Sequence, residues 1–155
     1  MIPTESTERL RRFVLAILLV GVLGSGFDLL LLEHYEDAYQ VIPLALLGAA
    51  LATLAWHAAT GSRASIRALQ STMVLFVAAG FAGTFFHAQS NMEFQLEVDP
   101  SLSGPLLFVK VLRAKAPPAL APGVMVQLGL LGLAFAYRHP TLAAPESQAQ
   151  SQGDQ

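Results

Sequence analysis

The 155-residue chain has the length of a single domain. It is 54% hydrophobic and only 13% charged, with a mean hydropathy of +0.52, which sets it apart from soluble domains, where roughly 25% of residues are charged. A net charge of −2 with scattered basic residues offers no footprint for nucleic acid, and the absence of cysteine excludes disulfides, thiolate metal sites and a cysteine nucleophile.

Four apolar stretches follow in chain order, at residues 13–32, 41–59, 69–87 and 119–137. Each is about as long as a helix needs to be to cross ~30 Å of hydrocarbon, and each is continuous rather than alternating, which favours helices over barrel strands. The expected fold class is therefore an all-α integral membrane protein, a compact bundle of four transmembrane helices forming one domain over residues 13–140. Short loops at 33–40 and 60–68 make neighbours antiparallel. Small residues that allow close helix approach recur as Gly21-xxx-Ser25, Ala79-xxx-Gly83 and Gly80-xxx-Thr84, and as Gly129 with Gly132. Residues 1–12 read as a polar tail.

Between the third and fourth stretches, residues 88–118 form an outer loop punctuated by Pro100, Pro105, Pro117 and Pro118. Within it PLLFVKVLR, residues 105–113, is apolar but too short to span. It reads as a short helix at the membrane interface with Lys110 and Arg113 toward head groups, or else as a lid over the bundle mouth. The polar stretch 141–155 has no periodicity and reads as a disordered tail.

Charge placement sets the orientation. Arg9, Arg11, Arg12, Arg63, Arg67 and Arg138 fall on one side, against Lys110, Arg113 and Lys115 on the other, where Glu93, Glu97 and Asp99 offset them. Both termini are expected in the cytoplasm, as in a multi-pass protein of a bacterial inner membrane. Residues 9–26 also carry the basic start, apolar core and small-residue exit of a signal peptide. The apolar run continues to Leu32, however, and favours a retained first helix.

Residues able to carry chemistry gather at the outer end: Asp28, then Glu33, His34, Glu36 and Asp37, then His87, Asn91 and Glu93. Imidazole with carboxylate is the material of a divalent-metal site or a proton relay, so His34, His87, Glu33 and Asp37 form a candidate metal set. Asp28, inside an apolar span, calls for a partner, a proton or a wet interior. With Thr84 and Asn91 it forms a candidate proton or polar-network site. Gly80, Thr84, His87 and Asn91, at i, i+4, i+7 and i+11, share one helix stripe. Glu36 and Asp37 also suit a solvated turn. Tyr35, Tyr39 and Trp56 suit an interfacial belt, with His57 beside Trp56 in the opposite head-group zone. His139 reads as solvent-exposed, and Gln127 as an interhelical hydrogen-bonding group. No HExxH, nucleophile elbow, phosphate-cradling loop or internal repeat is present, which leaves no motif for catalysis and none for a complete transporter.

The segments EHYEDAYQVIPLALL, NMEFQLEVDP and PPALAPGVMVQLGLLGLAFAYRHP resemble small bacterial four-helix inner-membrane proteins of unknown function. The resemblance implies no activity, cofactor or site residue. The expected function is that of a non-enzymatic accessory or scaffold subunit, partnered by the lipid bilayer and by other membrane subunits or a second copy. A metal-ion or proton-handling protein with an outer site, holding a divalent metal in the first case, is the alternative. An integral membrane enzyme is the third.

Overall fold

A computed structural model of the chain describes residues 4–143. It is helical throughout, with α1 (Thr4–Leu31), α2 (Ala38–Thr60), α3 (Arg63–Val98), α4 (Gly104–Leu112), α5 (Gly123–Ala136) and a single turn, α6 (Pro140–Ala143). Three helices are long and apolar enough to cross a membrane: α1 from Glu5 onward, α2 and α3.

Local chemistry accounts for the breaks. After α1 ends at Leu31, Glu33 adopts the left-handed conformation, with φ 53°, and turns the chain toward Asp37, the N-cap of α2. At the far end of α2, Gly61 takes φ 56° and its N–H returns to the His57 carbonyl at 2.8 Å. Ser62 then caps α3, its hydroxyl accepting from Ser65 N at 3.2 Å. Asp99 ends α3, and its Oδ1 accepts from the Ser101 hydroxyl at 2.6 Å and the Ser101 amide at 3.1 Å. Those bonds, the hydroxyl first, hold the Asp99 carboxyl below its ordinary range.

Several boundaries differ from the sequence expectation. The polar tail of residues 1–12 is helical from Thr4, and α3 runs past His87 to Val98 because no proline interrupts it before Pro100. Conversely, α5 begins only at Gly123, since Pro117, Pro118 and Pro122 keep the lead-in out of the helix. The region 105–113 is indeed a short helix, α4. It packs against α3. Thr141–Ala143, expected in the disordered tail, belong to α6, and the rest of that tail lies outside the described residues.

The α1–α2 turn and the lead-in to α5 mark what we call the upper end; the α2–α3 turn and the exit of α5 mark the lower end. Helix α3 packs on α2 and α5, and α1 packs on the same two. The shared core takes Leu18 and Val22 from α1, Leu47 and Ala50 from α2, Met73 and Phe76 from α3, and Leu128 and Phe135 from α5. Glycine makes the α3–α5 approach possible. A Cβ on Gly129 would stand 2.7 Å from the Met73 carbonyl oxygen, and one on Gly80 2.8 Å from the Val126 amide nitrogen. The outward faces keep large apolar side chains exposed, among them Val20, Phe27, Phe81, Phe85 and Leu130.

Candidate functional site

At the upper end the four packed helices do not fill the space between them. A cavity of about 1100 Å³ opens there, walled by the last turns of α1, the first turns of α2, the middle of α3 and the lead-in to α5. Most of the lining is apolar, with Leu29, Pro43, Ala79 and Met125 among the wall residues, while Asp28, His34, Asp37, His87 and Ser90 bring polar groups to it. No lysine or arginine lines it. A large apolar pocket with a few convergent polar groups is the usual form of a ligand site.

Helix α3 lines the cavity with Ala79, Gly83, Phe86, His87 and Ser90, so of the stripe through Gly80, Thr84, His87 and Asn91 only His87 reaches it. Gly80 is buried against α5, and the Thr84 hydroxyl donates to the Gly80 carbonyl at 2.9 Å. Further along, His87 Nδ1 lies 3.0 Å from the Pro118 carbonyl and the buried Asn91 Nδ2 donates to the Pro117 carbonyl at 2.9 Å. These bonds hold the irregular lead-in to α5 in place. Prolines lack an N–H, so this segment carries few backbone donors, and two of its carbonyls are satisfied by α3 side chains. Because a carbonyl only accepts, His87 donates through Nδ1, and the neutral ring keeps Nε2 as an acceptor.

From the α1–α2 turn, His34 enters the same cavity. Partial burial lowers its pKa first, and the nearby charge of His87 lowers it further. The neutral imidazole is thus the favoured form of His34. Asp37 and Asp28 reach the cavity from the start of α2 and the last turns of α1, and among the described residues neither forms an ion pair. Gln40 closes the α2 N-terminus, its Oε1 accepting from Glu36 N at 3.0 Å and Asp37 N at 3.4 Å.

The candidate residues therefore assemble only in part. Asp28, His34, Asp37 and His87 line one cavity, but Glu33 is exposed outside it, its backbone turned away in the left-handed conformation. No group of three or more His, Asp or Glu stands within metal-holding reach among the described residues, so the set His34, His87, Glu33 and Asp37 is not gathered into a coordination sphere. Nor do Asp28, Thr84 and Asn91 form one network. Thr84 bonds its own helix, Asn91 bonds the α5 lead-in, and Asp28 stands on the opposite wall.

The lower end holds a second polar cluster that the sequence reading missed. His57 and His139 meet edge to face with ring centroids 4.9 Å apart, and Phe135 lies against His139 at 5.5 Å. His139 is thus not the free, solvated side chain expected. Ser65, fully buried, donates through its hydroxyl to the Ser62 carbonyl at 2.7 Å, so at 2.9 Å His57 Nδ1 is the donor to Ser65 Oγ. His139 Nδ1 accepts from the Thr141 amide at 3.3 Å. Arg11 donates to the Tyr137 and Arg138 carbonyls at 3.3 and 3.4 Å, and Arg63 to the Thr141 carbonyl at 3.2 Å. Burial, then the charges of Arg11 and His57, push the His139 pKa down to about 4. This end is a clasp closing the exit of α5 onto α1, α2 and α3.

Among the described residues Gln127 makes none of the expected interhelical bonds. It stands exposed on the outward face of the otherwise apolar α5. Comparison with protein families, with curated proteins and with solved structures finds no match to this chain.

Proposed function

We propose that this chain is a small multi-pass protein of a bacterial inner membrane, a four-helix bundle with both termini in the cytoplasm, and that it serves as a non-enzymatic accessory or scaffold subunit. Gln127 carries the subunit reading. A polar amide on the outward face of an apolar helix has no partner in hydrocarbon, and an interhelical bond to a neighbouring subunit supplies one. The exposed apolar girdle of α1, α3 and α5 favours the lipid setting, and the four-way packing of α1, α2, α3 and α5 favours the bundle. The burial of Leu18 and Val22 favours a retained first helix over a cleaved signal. Because the chain has no cysteine, single cysteines report topology cleanly. Glu36→Cys should react with an impermeant maleimide on intact cells, and Ser62→Cys only after permeabilisation; the reverse pattern would refute the orientation. A photo-crosslinking residue at position 127 should give one discrete adduct in membranes, and a strictly monomeric product would refute the subunit role.

A second reading, a proton- or metal-handling protein, is favoured by one observation: His34 and His87 share a cavity with Asp28 and Asp37. Its metal form predicts bound metal in the purified protein that is lost in His34→Ala and His87→Ala, and a metal-free wild type would end it.

A further inference from the structure

The upper cavity is a built space whose formal charges are one-sided. Asp28 and Asp37 contribute carboxylates, and His87, with Nδ1 committed to the Pro118 carbonyl, keeps only the Nε2 acceptor when neutral. No lysine or arginine faces them, and among the described residues the two acids form no ion pair. Carboxylates beside apolar walls are costly unless a donor or a positive charge meets them. The rest of the lining is mostly aliphatic, and the volume of about 1100 Å³ far exceeds the space of one metal ion or water. An anionic lipid head would find acids and no cation. The tilted Tyr39–Phe86 ring pair, 6.2 Å between centroids, also lines the cavity and presents aromatic faces that favour a cation.

We propose that the cavity between α1, α2, α3 and the lead-in to α5 binds a single-chain amphiphile whose head group is a protonated primary amine. The ammonium sits in the field of the Asp28 and Asp37 carboxylates, and the alkyl chain lies along the aliphatic wall. Protonation of His34 would place a like charge beside the ammonium, so binding weakens in acid. The charged and titratable groups lining the cavity from every packed element are Asp28 on α1, His34 and Asp37 in the connecting turn, Tyr39 on α2 and His87 on α3.

The test is calorimetric titration of the full chain in a nonionic detergent with dodecylammonium, against dodecanoate as the anion of equal chain length. Dodecylammonium should bind at one site per chain, at least tenfold tighter than dodecanoate. Asp28→Asn should weaken it about tenfold. Gly24→Phe places a ring at a cavity-lining position where a Cβ meets nothing within 4 Å, so helical content should persist while binding is lost. Equal affinity for the two chains would overturn the proposal, as would unchanged binding in a helical Gly24→Phe protein. If Asp28→Asn unfolds, the Gly24→Phe and head-group comparisons decide alone. The measurement does not depend on orientation or on subunits, so its failure would leave the topology and subunit readings standing.

Discussion

The two ends of the helix assembly use similar residues to opposite effect. At the lower end His57, Ser65, His139, Arg11 and Arg63 each reach a partner across helices. At the upper end Asp28, Asp37 and His34 face a cavity, while His87 and Asn91 spend their bonds steadying its wall. Polar groups bonded across helices are a structural clasp, whereas carboxylates with no ion-pair partner beside an open volume are a site awaiting something. Histidine content alone distinguishes neither. What separates them is whether each group's hydrogen-bonding capacity is already used within the chain.

Four substitutions sharpen or break this contrast. The largest effect is expected where helices touch. Gly129→Val sets a side chain against the Met73 carbonyl and should cost ~3 kcal/mol in a denaturing-detergent titration, because a backbone oxygen cannot move aside as a side chain can. Its counterpart at the open end, Gly24→Ala, meets nothing within 4 Å and should be neutral or stabilising by ~0.5–1 kcal/mol. Equal losses at both glycines would erase the distinction between the ends. Next, Asn91→Leu strips the Pro117 carbonyl of its partner and should cost ~2 kcal/mol, with faster amide exchange in the lead-in to α5. No loss there would mean that the cavity wall is not held by α3.

The smallest effect concerns pH. His139 is held at a pKa of about 4, against an ordinary value of 6.5. Between these values the unfolded chain binds more protons than the folded one, so stability rises with pH across the window. The contribution is full above about pH 6.5 and lost as pH falls toward 4. It should amount to on the order of 1 kcal/mol, because the ring's partial contact with solvent screens it. His139→Phe should flatten the slope of unfolding midpoint against pH, and an unchanged slope would show that the clasp does not titrate.

Much of the architecture could be read from hydropathy because apolar length is a local property. The stretches at 13–32, 41–59 and 69–87 lie almost wholly within α1, α2 and α3. Helix ends were less legible, since hydropathy reports contact with oil, while a helix continues wherever polar residues such as Gln89, Glu93 and Gln95 tolerate it and proline is absent. The stripe through Gly80, Thr84, His87 and Asn91 was visible as a spacing, but its partners, the carbonyls of Pro117 and Pro118, carry no side-chain signal. His139 was misread for a related reason. Its neighbour His57 belongs to another helix, and nothing adjacent in the chain announces the pair. A cavity, being a place where side chains are missing, has no residue of its own to read.

The shortness of α5 has a consequence for the lipid around it. Fourteen residues make a rod of ~21 Å, whereas the 36 residues of α3 make one of ~54 Å, against ~30 Å of hydrocarbon. In the proposed spanning arrangement the protein is thick on one flank and thin on the other. Non-helical chain at membrane depth is tolerated where it is sheltered by protein or borders a cavity, and the proline-rich lead-in to α5 meets both conditions. Hydrophobic mismatch on the α5 flank would then pinch the bilayer beside the cavity mouth and shorten the path from head-group level to its interior. A thicker membrane would resist that pinch, so bilayer thickness itself becomes a control on entry to the cavity.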